Sequence, residues 1–234
     1  MSESLERVRG VRELPLFPLP LVLFPGAPLP LHIFEPRYRQ MLSDVRAGNN
    51  LFGVSYVDET AIEGGARPAV GHVGCAAEVV EAQTLPDGRS NILTLGVVRY
   101  RLEAYVDAGE PYLVGRVRFF EDEAEDDESL KRSANEVTDL FMRIAQAVRV
   151  INDERASLPE LPDTEPERLS FLVAAAMEMA TENKQELLEL RYSSERLTRL
   201  RNLLAEAVGG YQERARMHTI ARGNGHGGKH VNLE

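Results

Sequence analysis

Leu14-Pro15-Leu16-Phe17-Pro18-Leu19-Pro20-Leu21-Val22-Leu23-Phe24-Pro25-Gly26, continued by Ala27-Pro28-Leu29-Pro30-Leu31-His32-Ile33-Phe34, is the stretch on which the fold turns. Its 21 residues carry no formal charge with His32 neutral, which is long enough to suggest a membrane span. Six prolines exclude that reading, because each lacks an amide donor and lipid could not satisfy the carbonyls left orphaned. The run reads instead as short extended pieces joined by turns, with 21–24 as a brief buried strand closed by a Pro25-Gly26 turn.

Working outward, Pro36 suits a first helical turn, and Tyr38, Met41, Leu42 and Val45 repeat at helical spacing. A single short helix over 36–47 follows, with Arg37, Arg39 and Arg46 outward and Gly48 as a left-handed stop. The period then becomes strand-like. Residues 51–57, 70–84 and 112–120 read as strands, and Pro86-Asp87-Gly88 as the turn of a hairpin. On its return limb Val98, Tyr100, Leu102, Ala104 and Val106 alternate with Arg99, Arg101 and Glu103, which places the arginines on the polar side. Gly96 marks a bulge.

Residues 121–128 hold seven acids and one alanine, a self-repelling linker with nothing to bury. Beyond it the pattern is helical. Val137, Leu140, Phe141, Ile144, Val148 and Ile151 predict a helix over 130–152, and Thr164-Glu165-Pro166-Glu167 has capping-box spacing. The next helix, apolar on most sides from 169 to 180, is expected at the centre of a bundle. Leu197, Leu200, Leu203, Leu204 and Tyr211 give a last long helix before a glycine-rich tail. The expected organisation is therefore a β-rich part over 1–120, the linker 121–128, a helical bundle over 129–221 and a disordered tail over 222–234.

The chain has 234 residues, 43% hydrophobic and 27% charged, which fits a folded protein and excludes global disorder. Much of the net charge of −10 resides in the linker, so no polyanion-binding groove follows from it. One cysteine and no leader-like opening point to a cytoplasmic protein.

Chemistry-bearing motifs are sparse. Gly223-Asn224-Gly225-His226-Gly227-Gly228-Lys229-His230 has phosphate-loop spacing, but histidine stands where Ser or Thr would bind Mg²⁺, and no strand precedes it. Gly53-Val54-Ser55-Tyr56-Val57 lacks the second glycine of a nucleophile elbow, so Ser55 reads as a strand residue. Cys75 and His72 lie an odd offset apart on a predicted strand, on opposite faces, which favours a packed thiol over a nucleophile. No Cys-x-x-Cys supports a metal site, and no cofactor is expected. Arg37, Arg39, Arg99 and Arg101 could form an RNA-facing patch, but without interleaved aromatics a solvated face is preferred. Met177 and Met179 read as core.

The proline-rich motif, together with Pro30-Leu31-His32-Ile33-Phe34-Glu35-Pro36-Arg37-Tyr38, resembles the opening of the Lon protease N-terminal domain. Phe52-Gly53-Val54, Val70-Gly71-His72-Val73-Gly74, Leu85-Pro86-Asp87-Gly88 and Gly96-Val97-Val98-Arg99-Tyr100 agree in order, over roughly residues 11–208. The resemblance implies an α+β fold, a PUA-like β pseudo-barrel with one short helix followed by a C-terminal helical bundle. It also implies engagement of protein substrates without the ATPase and Ser-Lys protease parts of full-length Lon, as in stand-alone bacterial Lon-domain proteins.

The resulting expectation is a non-enzymatic protein-binding module for exposed apolar segments of unfolded or client proteins, the alternative being a PUA-like RNA binder. Proline-stiffened loops hold apolar groups outward at little entropic cost, which nominates Phe24, Phe34, Arg37 and Tyr38 as contact residues.

Overall fold

In the computed structural model, which describes residues 2–153 and 164–224, the proline-rich stretch supplies two strands, β1 (Glu13–Leu19) and β2 (Pro28–Ile33). Residues 21–24, expected as a strand, are the irregular connection between them. Prolines survive inside strands here because each stands where one side of the ladder is open. Residues 13–16 of β1 pair with the last strand of the sheet and residues 16–19 with β3 (Leu51–Tyr56). Pro15 and Pro18 therefore each face a neighbour on one side only. Pro28 and Pro30 lie on β2, an edge strand. The Pro25-Gly26 turn forms as expected, with Gly26 at φ 77° and Ala27 N–H donating to Phe24 C=O.

The remaining strands are β4 (Val73–Thr84), β5 (Ser90–Val106) and β6 (Leu113–Phe120). The six lie in the order β2-β5-β4-β3-β1-β6, and a further β5–β6 pairing closes the sheet. The long β5 makes this possible. Residues 90–95 pair with β2 and β4, whereas residues 99–106 pair with β6, and 99–101 with β4 as well. The result is a barrel of β1, β3, β4, β5 and β6 with β2 attached outside the closure. Register slips at Ala76/Ala77, beside Gly96, as the expected bulge requires.

Three helices precede β4 rather than one: α1 (Glu3–Arg7), α2 (Pro36–Ala47) and α3 (Glu59–Glu63). The two unforeseen ones are single capped turns. Side-chain oxygens of Ser2 and Asp58 accept from their first-turn amides, a local device with no apolar period to announce it. In α2, Tyr38, Met41, Leu42 and Val45 are buried as predicted. Its left-handed residue is Asn50 (φ 61°), whereas Gly48 sits at φ −102°.

The barrel core joins Leu14, Leu16, Leu51, Ala76, Val98, Tyr100 and Leu102. Tyr100 is fully buried, and its hydroxyl lies 2.7 Å from Ser55 Oγ. Gly53 and Gly74 make room for that ring. A Cβ built on either would stand under 3 Å from it.

Two later helices, α5 (Pro166–Ala176) and α6 (Thr181–Glu189), belong to the same compact unit as the sheet, Met1–Ala124 with Glu167–Tyr192. The apolar girth of α5 thus reflects burial beside the barrel, not the centre of a bundle. Arg99 explains much of this. It is 1% exposed, against the expectation of a polar outer face. It donates to Leu188 C=O (3.0 Å) and Leu190 C=O at the end of α6, and pairs with Asp122. Its guanidinium lies over Phe120 and Phe171, 4.6 and 5.1 Å from the ring centroids. Two carbonyls and a carboxylate offset the cost of burying this cation.

The acidic run is accordingly more than a repulsive linker. Asp122 meets Arg99 and Glu123 meets Arg191. Further along, Asp126 caps α4 (Asp127–Ile151), and Glu125 accepts from Ser194 N–H at the start of α7 (Ser193–Asn224).

The second unit, Glu125–Pro166 with Ser193–Glu234, is built on α4 packed against α7. Their contacts advance together, from Glu125 with Ser194 through Glu136 with Arg201 and Arg143 with Gln212 to Asp153 with Arg222. The helices are therefore parallel. Leu130, Ala134 and Val137 of α4 and Leu197, Leu200, Leu204 and Val208 of α7 are buried. Pro159, Pro162 and the tail beyond Asn224 lie outside the described residues.

Candidate binding surface

Strands alternate their side chains, so Leu29, Leu31 and Ile33 of β2 share one face, and Pro28, Pro30 and His32 share the other. The first set faces Thr94, Ile92 and Ser90 of β5, all buried. The second stands opposite Leu95, Leu93 and Asn91, which are half-buried or exposed. Phe34 continues the second set one step past the strand and is 59% exposed, an unusual state for so large an apolar ring. His32 stacks near it, centroids 6.1 Å apart, and its Nδ1 lies 2.7 Å from Asn91 Oδ1. Across β4 the same end of the sheet carries Val80, the extra residue of a second bulge, 48% exposed.

The four nominated residues separate into two kinds. Phe34 and Arg37 are exposed. Phe24 and Tyr38 are buried and supply support rather than contact area. Phe24 lies 6.1 Å from the Phe171 ring, and the connection around it is fixed by Gly26 N–H to Gly96 C=O (2.8 Å) and Gly96 N–H to Ala27 C=O (2.9 Å). Tyr38 packs 4.1 Å from Phe17, and burial pushes its phenol up. Arg37 lies over the Tyr38 ring at 4.5 Å while pairing with Glu35 at 2.9 Å, so its fork is held in place at the surface.

Nothing in the period of the sequence singled out Pro28, Pro30 and His32 as a face, although the alternation Pro-Leu-Pro-Leu-His-Ile-Phe carried that information. Placing the strand at 21–24 hid it.

Other chemistry-bearing groups are absorbed by the fold. The Cys75 thiol is fully buried, and burial pushes it up to about 12, so it stays protonated at neutral pH. Ser55 bonds Tyr100 inside the barrel. Arg99 is withdrawn from the arginine patch, and Arg101 donates to Gly71 C=O. Met177 and Met179 are only half-buried, less than a core reading requires. Among the described residues no group of three or more His, Cys, Asp or Glu could hold a metal ion, and no helix is long and apolar enough to cross a membrane.

Known proteins share this arrangement. The family profile described as the ATP-dependent protease La (LON) substrate-binding domain matches residues 13–206. The Lon protease of Brevibacillus choshinensis is 26% identical over 196 residues, 83% of this chain and 25% of that one. That of Trichlorobacter lovleyi is 25% identical over 218 residues, 93% of this chain and 27% of that one. The chain thus spans about a quarter of the length of these curated relatives. Among solved structures, the N-terminal domain of Mycobacterium avium complex Lon protease superposes with a TM-score of 0.63 at 18% identity, covering 83% of this chain and 98% of that one. A Lon N-terminal domain protein from Xanthomonas campestris gives 0.58 at 21% identity, covering 81% and 97%. At these identities the likeness establishes the fold.

Proposed function

The chain belongs to the Lon substrate-binding domain family, and from that premise we propose that it is a non-catalytic recognition module for exposed apolar segments of unfolded or client proteins. The segment would lie on the outer face of β2, against Phe34, His32, Pro28 and Pro30. The observation that carries this reading is Phe34, a large ring left 59% exposed beside two exposed prolines on a strand anchored by its whole length to β5. Such a surface is already rigid, so little conformational entropy is lost when a partner covers it.

Strand addition is not the mode of binding. An incoming strand needs alternating amide donors along the edge, and Pro28 and Pro30 have none. Side-chain burial remains, and burying one phenylalanine contributes about 1.5–3 kcal/mol. Arg37 would hold polar backbone or a carboxylate at the rim.

The test is retention of a reduced, carboxymethylated protein on the immobilised chain. The wild type should retain it, Phe34→Ser should weaken retention by about tenfold, and Val70→Ser, at an exposed position away from this face, should leave it unchanged. Equal retention by wild type and Phe34→Ser would refute the proposal.

A further inference from the structure

Between α2 and the β4–β5 hairpin lies an open groove of about 730 Å³, lined by Pro36, Arg39, Arg46, Ser43, Thr84 and Ser90 among others. That volume falls within the range of about 300–1,000 Å³ seen for ligand sites. Its chemistry is one-sided. The lining contains two guanidiniums and three hydroxyls but no carboxylate. Among the described residues neither Arg39 nor Arg46 has an ion-pair partner, whereas neighbouring Arg37 and Arg89 are paired with Glu35 and Asp87. In a chain of net charge −10, the groove thus carries a local positive charge.

Their spacing is equally specific. Residues 39 and 46 are seven apart on α2, almost two full turns, so they project from one face of the helix about 10 Å apart. In an extended peptide, two to four residues span about 7–13 Å. The hairpin fixes the opposite wall, since Gly88 carries no side chain and Arg39 rests directly against it. The groove also adjoins the face described above, because Ser90 pairs with Ile33, the residue before Phe34.

We propose that this groove is an acidic-peptide subsite: Arg39 and Arg46 each hold a carboxylate of an extended segment whose apolar part lies against Phe34. This rests on the reading of the chain as a protein-recognition module and adds a substrate class to it, apolar segments flanked by two acids.

The test compares two fluorescent peptides with the same aromatic core, one continued by two glutamates spaced about three residues apart and the other by glutamines at the same two positions, in fluorescence anisotropy. The glutamate peptide should bind about tenfold more tightly, and the doubly substituted Arg39→Gln, Arg46→Gln protein should erase that difference while still binding the glutamine peptide. Both side chains are exposed, so its thermal melt should match the wild type and thereby exclude misfolding. Equal affinity for the two peptides would overturn the acidic subsite and leave the apolar face standing. Binding of neither, with Phe34→Ser indistinguishable from wild type on the unfolded protein, would overturn both. Tight, salt-sensitive capture of single-stranded RNA that the double substitution abolishes, with no discrimination between peptides, would overturn the subsite in favour of a polyanion site.

Discussion

The two halves of β5 use similar residues for opposite ends. Over 97–106 the strand closes the barrel, and the buried polar groups on its two faces are matched: Tyr100 reaches Ser55 inside the barrel, and Arg99 on the outer face reaches two carbonyls and Asp122. Over 90–95 it supports β2, one face buried and the other bearing half-exposed Leu93 and Leu95 beside exposed prolines. Both halves have strand neighbours, but the closed half buries polar side chains that must be matched, whereas the edge strand β2 beside the open half runs into a phenylalanine left in water. The difference teaches where change is tolerated. The closed half holds stability, and the open half holds the exposed apolar surface on which the proposed function rests.

The sharpest way to break this division is Arg99→Ala. It removes a buried cation that donates to the Leu188 and Leu190 carbonyls and pairs with Asp122, inside the protein. Removing one partner of a buried pair costs about 3–5 kcal/mol, so the denaturant midpoint should fall steeply. Arg101→Ala, two residues on and exposed, should stay within about 0.5 kcal/mol. Similar midpoints for the two variants would show that Arg99 is not holding α6 and the acidic run to the barrel.

A smaller effect is expected inside the barrel. The Cβ of a Gly74→Ala variant would lie 2.5 Å from both the Tyr100 ring and Val54 C=O. The carbonyl cannot retreat without breaking the β3–β4 ladder, so the substitution should cost about 1–3 kcal/mol. Pairing it with Tyr100→Phe sharpens the reading, because the hydroxyl and Cζ are the ring atoms nearest the new methyl. Chemical denaturation of the single and double variants should give a non-additive cycle. Strict additivity would mean that the ring is not the obstacle.

How far the sequence exposed these features depended on whether a side chain obeys a period. The α2 helix and the β4–β5 hairpin were legible, since Tyr38, Met41, Leu42 and Val45 repeat at helical spacing and Pro86-Asp87-Gly88 names its own turn. Arg99 was not legible. Strand alternation puts it beside Arg101, and only the return of the chain through α5 and α6 converts that face into an interior. The same distant return explains α5, whose apolar sides suit a bundle and a barrel equally well. Of the nominated residues, Phe34 and Arg37 are exposed, whereas Phe24 and Tyr38 are buried, because hydrophobicity alone does not distinguish a ring left at the surface from one packed beneath it.

The mildest effect should come from His72, at the closed end, where its carbonyl accepts from Leu102 N–H. Its Nε2 is buried with no hydrogen-bond partner among the described residues, and burial holds the imidazole below its ordinary 6.5, with Glu189 opposing only partly. A lowered value in the folded chain means that the unfolded chain binds the proton more readily. The titration of His72 therefore leaves stability unchanged well above pH 6.5 and begins to subtract from it as the pH falls through 6.5, until the imidazole is itself protonated in place. Thermal melts between pH 7.5 and 5 would sum every carboxylate with it, so the comparison must be against His72→Gln, which cannot titrate. Between pH 7 and 5 the melting temperature of the wild type should fall further than that of the variant. Parallel curves would mean that the closed half tolerates an imidazolium at its margin, and that the requirement for matched polar groups stops at Arg99 and Tyr100.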